Sequence, residues 1–496
     1  MPNLPIARDL KQFLALLEAR GDLVRVNQPV SVVHEITEIH RRVLEKDGPA
    51  LLFERPTDQE GREYSIPLVT NVFGTVDRVA LALGCTVDGL DGLGQNLAAL
   101  NRPKPPESFD DAVAKIPLAR AALTMGIRPA TWPRGRHKVL RGNDIDLSLL
   151  PIQWCWSGEP APLITWPLVI TRDPHDASDI NVGVYRMQVV SADSLIVRWL
   201  GNRGGARHFR AWQALGENMP IAIVVGADPA VMLSAVMPIP DGMNELRFSG
   251  LLRRRRCGVM KGKTQDLPIP QSAEIVLEGR VSISEELDEG PFGDHTGYYN
   301  SVARFPKVVL SSMALPEKPI YMSTFTGRPP DEPSRIGVAL NALFVPLIKT
   351  SFPEIEDLWL PPEACSYRAM IVSVKKRYAG QARRVMMGLW SVLPQFSYCK
   401  LMVVVDDDID VRSWEDVIWA ISTRFEAPRD LFLTENTPMD YLDFSTARQG
   451  LGTKVGFDAT NKIGSETDRE WGKPLKMSES VRKRVDDIWM DLGIPR

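Results

Sequence analysis

A chain of 496 residues is too long for one ordinary core, so two or three domains are expected. Its 44% hydrophobic and 24% charged residues are those of a folded protein, not of a disordered or fibrous one. Lys plus Arg number 59 against 62 Asp plus Glu, and a net charge of -3 excludes a broadly basic nucleic-acid binder and leaves any cationic site local.

The N-terminus carries charge at helical spacing where a secretory signal would have an apolar core, so a cytoplasmic location is expected. Apolar spacing predicts amphipathic helices over 10–20 and 33–46, opening an α/β domain that runs to about 118. Proline-rich stretches at 103–106 and 129–133 are candidate boundaries or surface crossings. From 165 the chain becomes rich in β-branched residues, with strands predicted over 165–171, 181–190, 194–200, 220–226, 274–283 and 307–312. Their spacing suits an antiparallel sheet closing into a barrel, interrupted by short helices at 207–215 and 229–236. Asp228 and Pro229 read as the cap and first residue of the second helix, and the apolar stretch 221–240 is therefore strand, turn and helix, not a membrane span. After 328 the rhythm changes to helix 335–347, strand 369–374, helix 380–393, strand 400–405 and helix 414–425, a parallel or mixed sheet covered by helices. A last helix over 479–492 could dock on a neighbouring subunit. Five scattered cysteines with no CxxC pair fit neither a zinc knuckle nor a disulfide framework.

Four segments could carry chemistry. In 197–207, a strand passes through Asn202, Arg203, Gly204 and Gly205 into a helix, which would present backbone N–H groups to a phosphate, with Arg198, Arg203 and Arg207 adding charge. An ordinary turn with solvated arginines is the bland alternative. Asn181 and Arg186 lie on one predicted strand but on opposite faces, unless Gly183 introduces a bulge. Glu289 and Asp294 are separated by Gly-Pro-Phe-Gly, a loop able to bring both carboxylates together and so raise one pKa into proton-donor range; His295 beside them reads as a catalytic group or, more simply, a hydrogen-bonder. Glu245, opening a short helix after Asp241, would be N-terminal charge or, with an amide oxygen from Asn181, part of an all-oxygen metal site. The run 253–256 is four arginines, a solvated face or a lipid-headgroup contact.

The strings INVGVYRMQV, RWLGNRGGA, VGADPA, SAEIVLEG, EGPFGDHTGYYN, TFTGRPPDEP, LPPEACSYR, AGQARRVMMGLW, ENTPMDYLDF and GFDATNK, in this order, resemble the UbiD family, and within it the polyprenyl-hydroxybenzoate decarboxylases of ubiquinone synthesis. The resemblance implies a multidomain α/β fold: an N-terminal α/β domain (1–118), a central split β-barrel of flavin-reductase type (119–328) and a C-terminal α/β domain (329–496) that takes part in oligomerisation. It implies prenylated FMN bound by Val184, Tyr185, Arg186, Arg198, Trp199, Leu200, Arg203 and Gly204. Asn181 and Glu245 match the positions that hold a divalent metal, Mn2+ or Mg2+, with K+ a further candidate. Asp294, Glu289 and Arg186 match the catalytic trio, with Asp294 as proton donor. Relatives acting on cinnamate-like acids carry histidine where Gly204 stands and glutamate where Asp294 stands, so this chain has one fewer metal ligand.

Loss of carbon dioxide from an aromatic ring leaves an in-plane carbanion that the ring cannot delocalise, and side chains provide no electron sink; a cofactor must. The expected reaction is non-oxidative decarboxylation of 4-hydroxy-3-polyprenylbenzoate to 2-polyprenylphenol, at the inner face of the cell membrane because of the prenyl tail. A flavin prenyltransferase as cofactor supplier and a homo-oligomer, dimer or hexamer, are the expected partners. The alternatives are a decarboxylase of a small soluble phenolic acid and a non-catalytic flavin-binding scaffold; a flavin reductase would rest on barrel topology alone.

Overall fold

The computed structural model describes residues 4–101, 105, 107–133, 137–201, 203–237, 239 and 244–494. The predicted proline boundary at 103–106 lies almost wholly outside these residues, as do Asn202 and Asp241.

The helix Leu10–Ala19 begins where Asp9 accepts a hydrogen bond from the Gln12 N–H, and it buries Leu10, Phe13, Leu14 and Leu17 along one stripe. It packs against a four-stranded sheet in the order Leu23–Val26, Ala50–Phe53, Leu68–Thr70, Tyr321–Met322. The last of these strands arrives from the far end of the central segment, so the N-terminal layer is completed by chain that the linear pattern assigns elsewhere.

The central sheet runs Ile180–Val184, Pro167–Arg172, Met219–Val225, Ile275–Glu289, Ala303–Pro316, Ser194–Val197, Met187–Ser191, Leu163–Ile164, with His137–Arg141 added along Ala303–Pro316. Alternation sorts its side chains. Leu168, Ile170, Ala222 and Val224 join the core beneath the N-terminal helix, whereas Val169, Ile221, Ile223 and Val225 point into a second core. Met187, Leu195 and Val197 from the opposite end of the ladder enter that same second core, so the sheet is curled on itself. Among the described residues no ladder joins its two ends, and the curl has a seam.

The seam resolves the conflict over Asn181 and Arg186. The expected single strand 181–190 is two, at opposite ends of the ladder: Ile180–Val184 pairs with Pro167–Arg172, and Met187–Ser191 pairs with Ser194–Val197 and Leu163–Ile164. Tyr185 and Arg186 cross between them, so Asn181 and Arg186 belong to no common strand, and the pairing through Gly183 is regular, without the bulge that would have put them on one face.

The third layer is a five-stranded mixed sheet, Ile355–Trp359, Ala369–Val374, Leu401–Asp406, Leu451–Ala459, Leu431–Pro438; the inner three strands are parallel and each edge strand is antiparallel to its neighbour. The helix Glu332–Lys349 leads into it from a capping box formed by Asp331 and Ser334. Among the described residues no helix is long and apolar enough to cross a membrane.

The arginine run is not the solvated face that its sequence implies. Arg253 is buried and its Nε lies 2.6 Å from Oδ2 of Asp228, which is fully buried. Arg254 adopts φ 55° and donates from Nη2 to the Gly84 carbonyl at 3.3 Å, and Arg256 donates from Nε to the Leu123 carbonyl at 3.4 Å. Only part of this run can meet a headgroup.

Candidate active site

Arg186, on the seam, is gripped from three sides. Its Nε donates to Glu289 Oε1 at 2.9 Å, Nη1 to Asp294 Oδ2 at 2.9 Å, and Nη2 to Glu289 Oε2 at 3.3 Å and Asn300 Oδ1 at 2.8 Å. The Phe292 ring lies beneath the guanidinium, 5.5 Å from its central carbon. Glu289 ends the long strand Ile275–Glu289, is buried, and takes a second cation, Arg198 Nη1, at 2.5 Å. The loop after it folds back through a bridge between Gly293 and Tyr299, which returns Asn300 to Arg186.

The loop therefore brings both carboxylates to one place, but the expected rise into proton-donor range is not seen at Asp294. Arg186 stands between them. Burial alone would raise the Asp294 carboxyl, but the hydrogen bond from His295 and the charges of Arg186 and His295 hold it well below the usual carboxylate range. His295 is the counterpart: burial would lower it, but the hydrogen bond to Asp294 and the Asp440 carboxylate 3.7 Å from Nε2 push it up to about 9.

The predicted phosphate segment is placed differently from expectation in one respect. The helix Gly204–Leu215 starts after Arg203, whose side chain makes no cap, and the Tyr185 hydroxyl takes the Gly205 N–H instead. Of the three expected arginines, however, Arg198 is committed to Glu289 and Arg207 pairs with Asp179 at 2.7 Å. Only Arg203 keeps the expected position at the helix start.

Tyr185, Trp199 and Gly204 converge on that helix end. The Tyr185 and Trp199 rings meet edge to face at 6.3 Å, the Tyr185 hydroxyl accepts from the Gly205 N–H at 3.3 Å and from Asn181 Nδ2 at 3.4 Å, and the Arg198 N–H donates to the Arg186 carbonyl at 3.4 Å. Val184 ends its strand immediately before this cluster, and Leu200 follows it. A Cβ at Gly204 would lie 2.0 Å from Asn181 Oδ1, so a side chain there would displace the amide from the helix end. Two buried N–H donors in this wall, Arg198 Nε and Trp199 Nε1, have no hydrogen-bond acceptor among the described residues. A flat polar cofactor with a phosphate arm fits this combination of a helix N-terminus and unpaired donors.

Glu245 reaches the strand that carries Asn181. Glu245 is the first residue of the helix Glu245–Leu252, and its Oε2 accepts from the Val182 N–H at 2.9 Å, next along the strand from Asn181. Burial pushes the Glu245 carboxyl up to about 7. A carboxylate and an amide oxygen are hard donors, suited to Mg2+ or Mn2+ and poor for zinc.

Several residues of the site escaped the sequence reading. Asn300 ends the string EGPFGDHTGYYN, in which nothing marks it as a partner of Arg186. Asp440 and Tyr441 arrive from the C-terminal layer: Asp440 Oδ2 lies 3.7 Å from His295 Nε2 and 3.3 Å from Arg368 Nη2, and Arg198 stacks over the Tyr441 ring at 5.0 Å. Tyr367 donates to Asp440 Oδ2 at 3.4 Å. Glu159, pushed up to about 7 by burial, accepts from the Gly293 N–H at 3.2 Å within the acidic loop. The strings ENTPMDYLDF and LPPEACSYR were the only signal for Tyr367, Arg368, Asp440 and Tyr441.

Profiles of three domains match the chain in order: the 3-octaprenyl-4-hydroxybenzoate carboxy-lyase N-terminal domain at 14–97, the Rift-related domain of the same enzyme at 130–329 and its C-terminal domain at 334–459. Among solved structures, the vanillic acid decarboxylase of Sedimentibacter hydroxybenzoicus in closed form is 27% identical, with 98% of this chain and 99% of that chain covered and a TM-score of 0.83. The UbiD-class enzyme HmfF from Pelotomaculum thermopropionicum, in complex with FMN, is 28% identical over 94% of this chain and 97% of that one, with a TM-score of 0.77. An evolved dimeric form of HmfF in complex with prFMN is 26% identical over 97% of this chain and 100% of that one, also with a TM-score of 0.77. With all three domains matched in order, and an arginine held between two acidic residues near the N-terminus of the helix Gly204–Leu215, the chain belongs to the UbiD family of carboxy-lyases.

Proposed function

We propose that this chain decarboxylates 4-hydroxy-3-polyprenylbenzoate to 2-polyprenylphenol for ubiquinone synthesis, with prenylated FMN and a divalent metal. The observation that carries the reading is the Arg186 clamp. Of five guanidinium N–H bonds, four are engaged by Glu289, Asp294 and Asn300, leaving one Nη1–H to face a substrate carboxylate. Glu289 and Arg198 fix the clamp, and Asp294 at its edge delivers a proton to the ring carbon that loses carbon dioxide. Prenylated FMN, when bound, supplies the electron sink that no side chain has. Val184 to Arg186, Arg198 to Leu200, Arg203 and Gly204 would hold it, and Asn181 with Glu245 would hold Mn2+ or Mg2+. A flavin-binding scaffold would need neither the clamp nor the acid. The division at about 118 and 328 belongs to the same reading.

A cavity of about 140 Å³ favours a prenylated substrate over a plain phenolic acid. Leu340, Phe344, Leu358, Leu393 and Phe396 line it, and so does Tyr367, whose ring centre is 6.5 Å from that of His295. An apolar cavity of about this size stays dry and takes a benzene-sized group, so it suits the first part of a tail. The rest of the tail would keep the enzyme at the inner membrane face, with a flavin prenyltransferase supplying the cofactor. The helix Glu479–Ile488 buries none of its own residues and exposes Val481 and Val485, which supports a homo-oligomer in which a second copy covers it.

Coexpression with a flavin prenyltransferase, mass spectrometry of the bound flavin and assays on prenylated and plain 4-hydroxybenzoate test the reading. The prenylated acid is expected to have a kcat/KM at least about tenfold higher, the worth of roughly two buried methylenes. Equal values would return the enzyme to small phenolic acids, as in the vanillic acid decarboxylase relative. Glu245→Ala is expected to lose bound metal and flavin together, measured by elemental analysis and flavin absorbance; full retention of both would separate Glu245 from the site.

A further inference from the structure

We propose that His295 is the positioning and proton-relay residue that rearms Asp294 after each turnover, and that it does so against Asp440, so that the acid is recharged only while the C-terminal layer is docked on the central one. The inference rests on Asp294 being the proton donor. His295 Nδ1 lies 2.8 Å from Asp294 Oδ1, the oxygen that also accepts from the His295 backbone N–H at 2.9 Å, while Arg186 occupies the other oxygen. The far nitrogen, Nε2, lies 3.7 Å from Asp440 Oδ2 and has no hydrogen-bond partner among the described residues. Asp440 is itself held by Arg368, Tyr367 and the Leu442 N–H, on a segment nearly 150 residues downstream of the acid loop in sequence. The imidazole also faces the Tyr367 ring, 6.5 Å away between centres, and the buried Asp331, and Arg186 lies beyond Asp294.

The chemistry requires such a relay. Each turnover breaks the bond between ring and carboxylate, releases carbon dioxide and makes a C–H bond, so one proton is consumed and must be replaced from water. Asp294 cannot keep that proton in reserve, because Arg186 and the imidazolium both stabilise its anion. Transfer from His295 Nδ1 to Asp294 Oδ1 converts the anion–cation pair to a neutral acid beside a neutral imidazole, removing one of the two charges that made the carboxyl a poor proton holder. After the acid has given its proton to carbon, the imidazole is reprotonated at Nε2, which is buried against Asp440 Oδ2, so the new proton enters along the Asp440 side, where that carboxylate stabilises the cation. The proton count closes at one per cycle. The cation is present below about pH 9 and lost as pH rises through that value.

Two measurements test this on the full-length protein. In wild type with flavin bound, kcat is expected to hold to about pH 9 and then fall; in His295→Gln it should drop at least about tenfold at pH 8 and recover on acidification, as Asp294 takes its proton directly from solvent. A pH profile of His295→Gln parallel to wild type would overturn the relay. The second readout needs no turnover: with ¹⁵N-histidine label, the chain's six histidines give a tractable spectrum. His295 is expected to titrate near 9 in wild type and to fall toward the ordinary histidine range in Asp440→Asn. An imidazole that titrates below 7 in wild type overturns the inference even if the enzyme decarboxylates well. Failure of flavin-loaded wild type to decarboxylate either benzoate would instead overturn the proposed function, and the titration would still decide whether His295 holds the proton.

Discussion

Asp294→Asn is expected to lower kcat at least about a hundredfold, the lower end of what a positioned acid contributes, while flavin, metal and melting temperature stay close to wild type. The side chain is nearly isosteric, and its amide oxygen still accepts from Arg186 Nη1. Arg186 in turn remains fixed by Glu289 and Asn300, and Glu289 by Arg198, so the clamp does not depend on the lost charge. What disappears is the carboxyl through which the proton at His295 is proposed to reach the ring. Deuterium incorporation at that carbon from heavy water should fall with kcat, and melting, flavin absorbance and elemental analysis separate this from a folding defect. Near-normal turnover would move the acid to Glu289, to His295 acting directly, or to Glu159, which contacts the same loop and is pushed up to about 7 by burial.

What the sequence revealed and what it hid divides along physical lines. Met219–Val225 and Ala369–Val374 are fully buried runs rich in β-branched residues, and they lie within a residue of their predicted bounds, because such runs have few alternatives to an inner strand. Leu431–Pro438 went unpredicted: it is an edge strand, half exposed and interrupted by Glu435 and Asn436, with no alternation to read. The seam at Tyr185–Arg186 was equally invisible, since hydrophobic period says which face a residue takes and nothing about which strand its neighbour pairs with. Motif strings located Arg186, Glu289 and Asp294 by likeness. They did not reveal that Arg186 separates the two carboxylates, that Arg198 serves Glu289, or that Asp440 crosses from another layer to reach His295. Those facts depend on contacts more than ninety residues apart in sequence.

The arginine run makes the same point with a measurable cost. Arg253→Met is expected to destabilise the protein by about 3–5 kcal/mol, the penalty for removing one member of a buried ion pair and leaving the other uncompensated. Asp228 is fully buried and caps the helix Pro229–Ser234 through the Ala230 N–H at 2.9 Å, so it cannot turn to water when its partner is gone. Burial already raises its pKa despite the nearby Arg253 charge, and removal of that charge raises it further. A carboxyl whose folded pKa lies above its unfolded one favours folding when protonated; the deficit of Arg253→Met should therefore be smallest near pH 5 and grow as pH rises toward 8. Adding Asp228→Asn should restore much of the loss, since a neutral pair of similar volume avoids the buried charge. Urea midpoints of the two single variants and the double variant, compared at both pH values, check this. A single Arg253→Met whose midpoint matches wild type at pH 8 would mean that the pair is not closed in solution. The same argument governs any test of lipid contact: replacing 253–256 together would unfold the protein before it informed on headgroups, so vesicle binding should be compared in Arg254→Gln and Arg256→Gln, which leave Asp228 its partner.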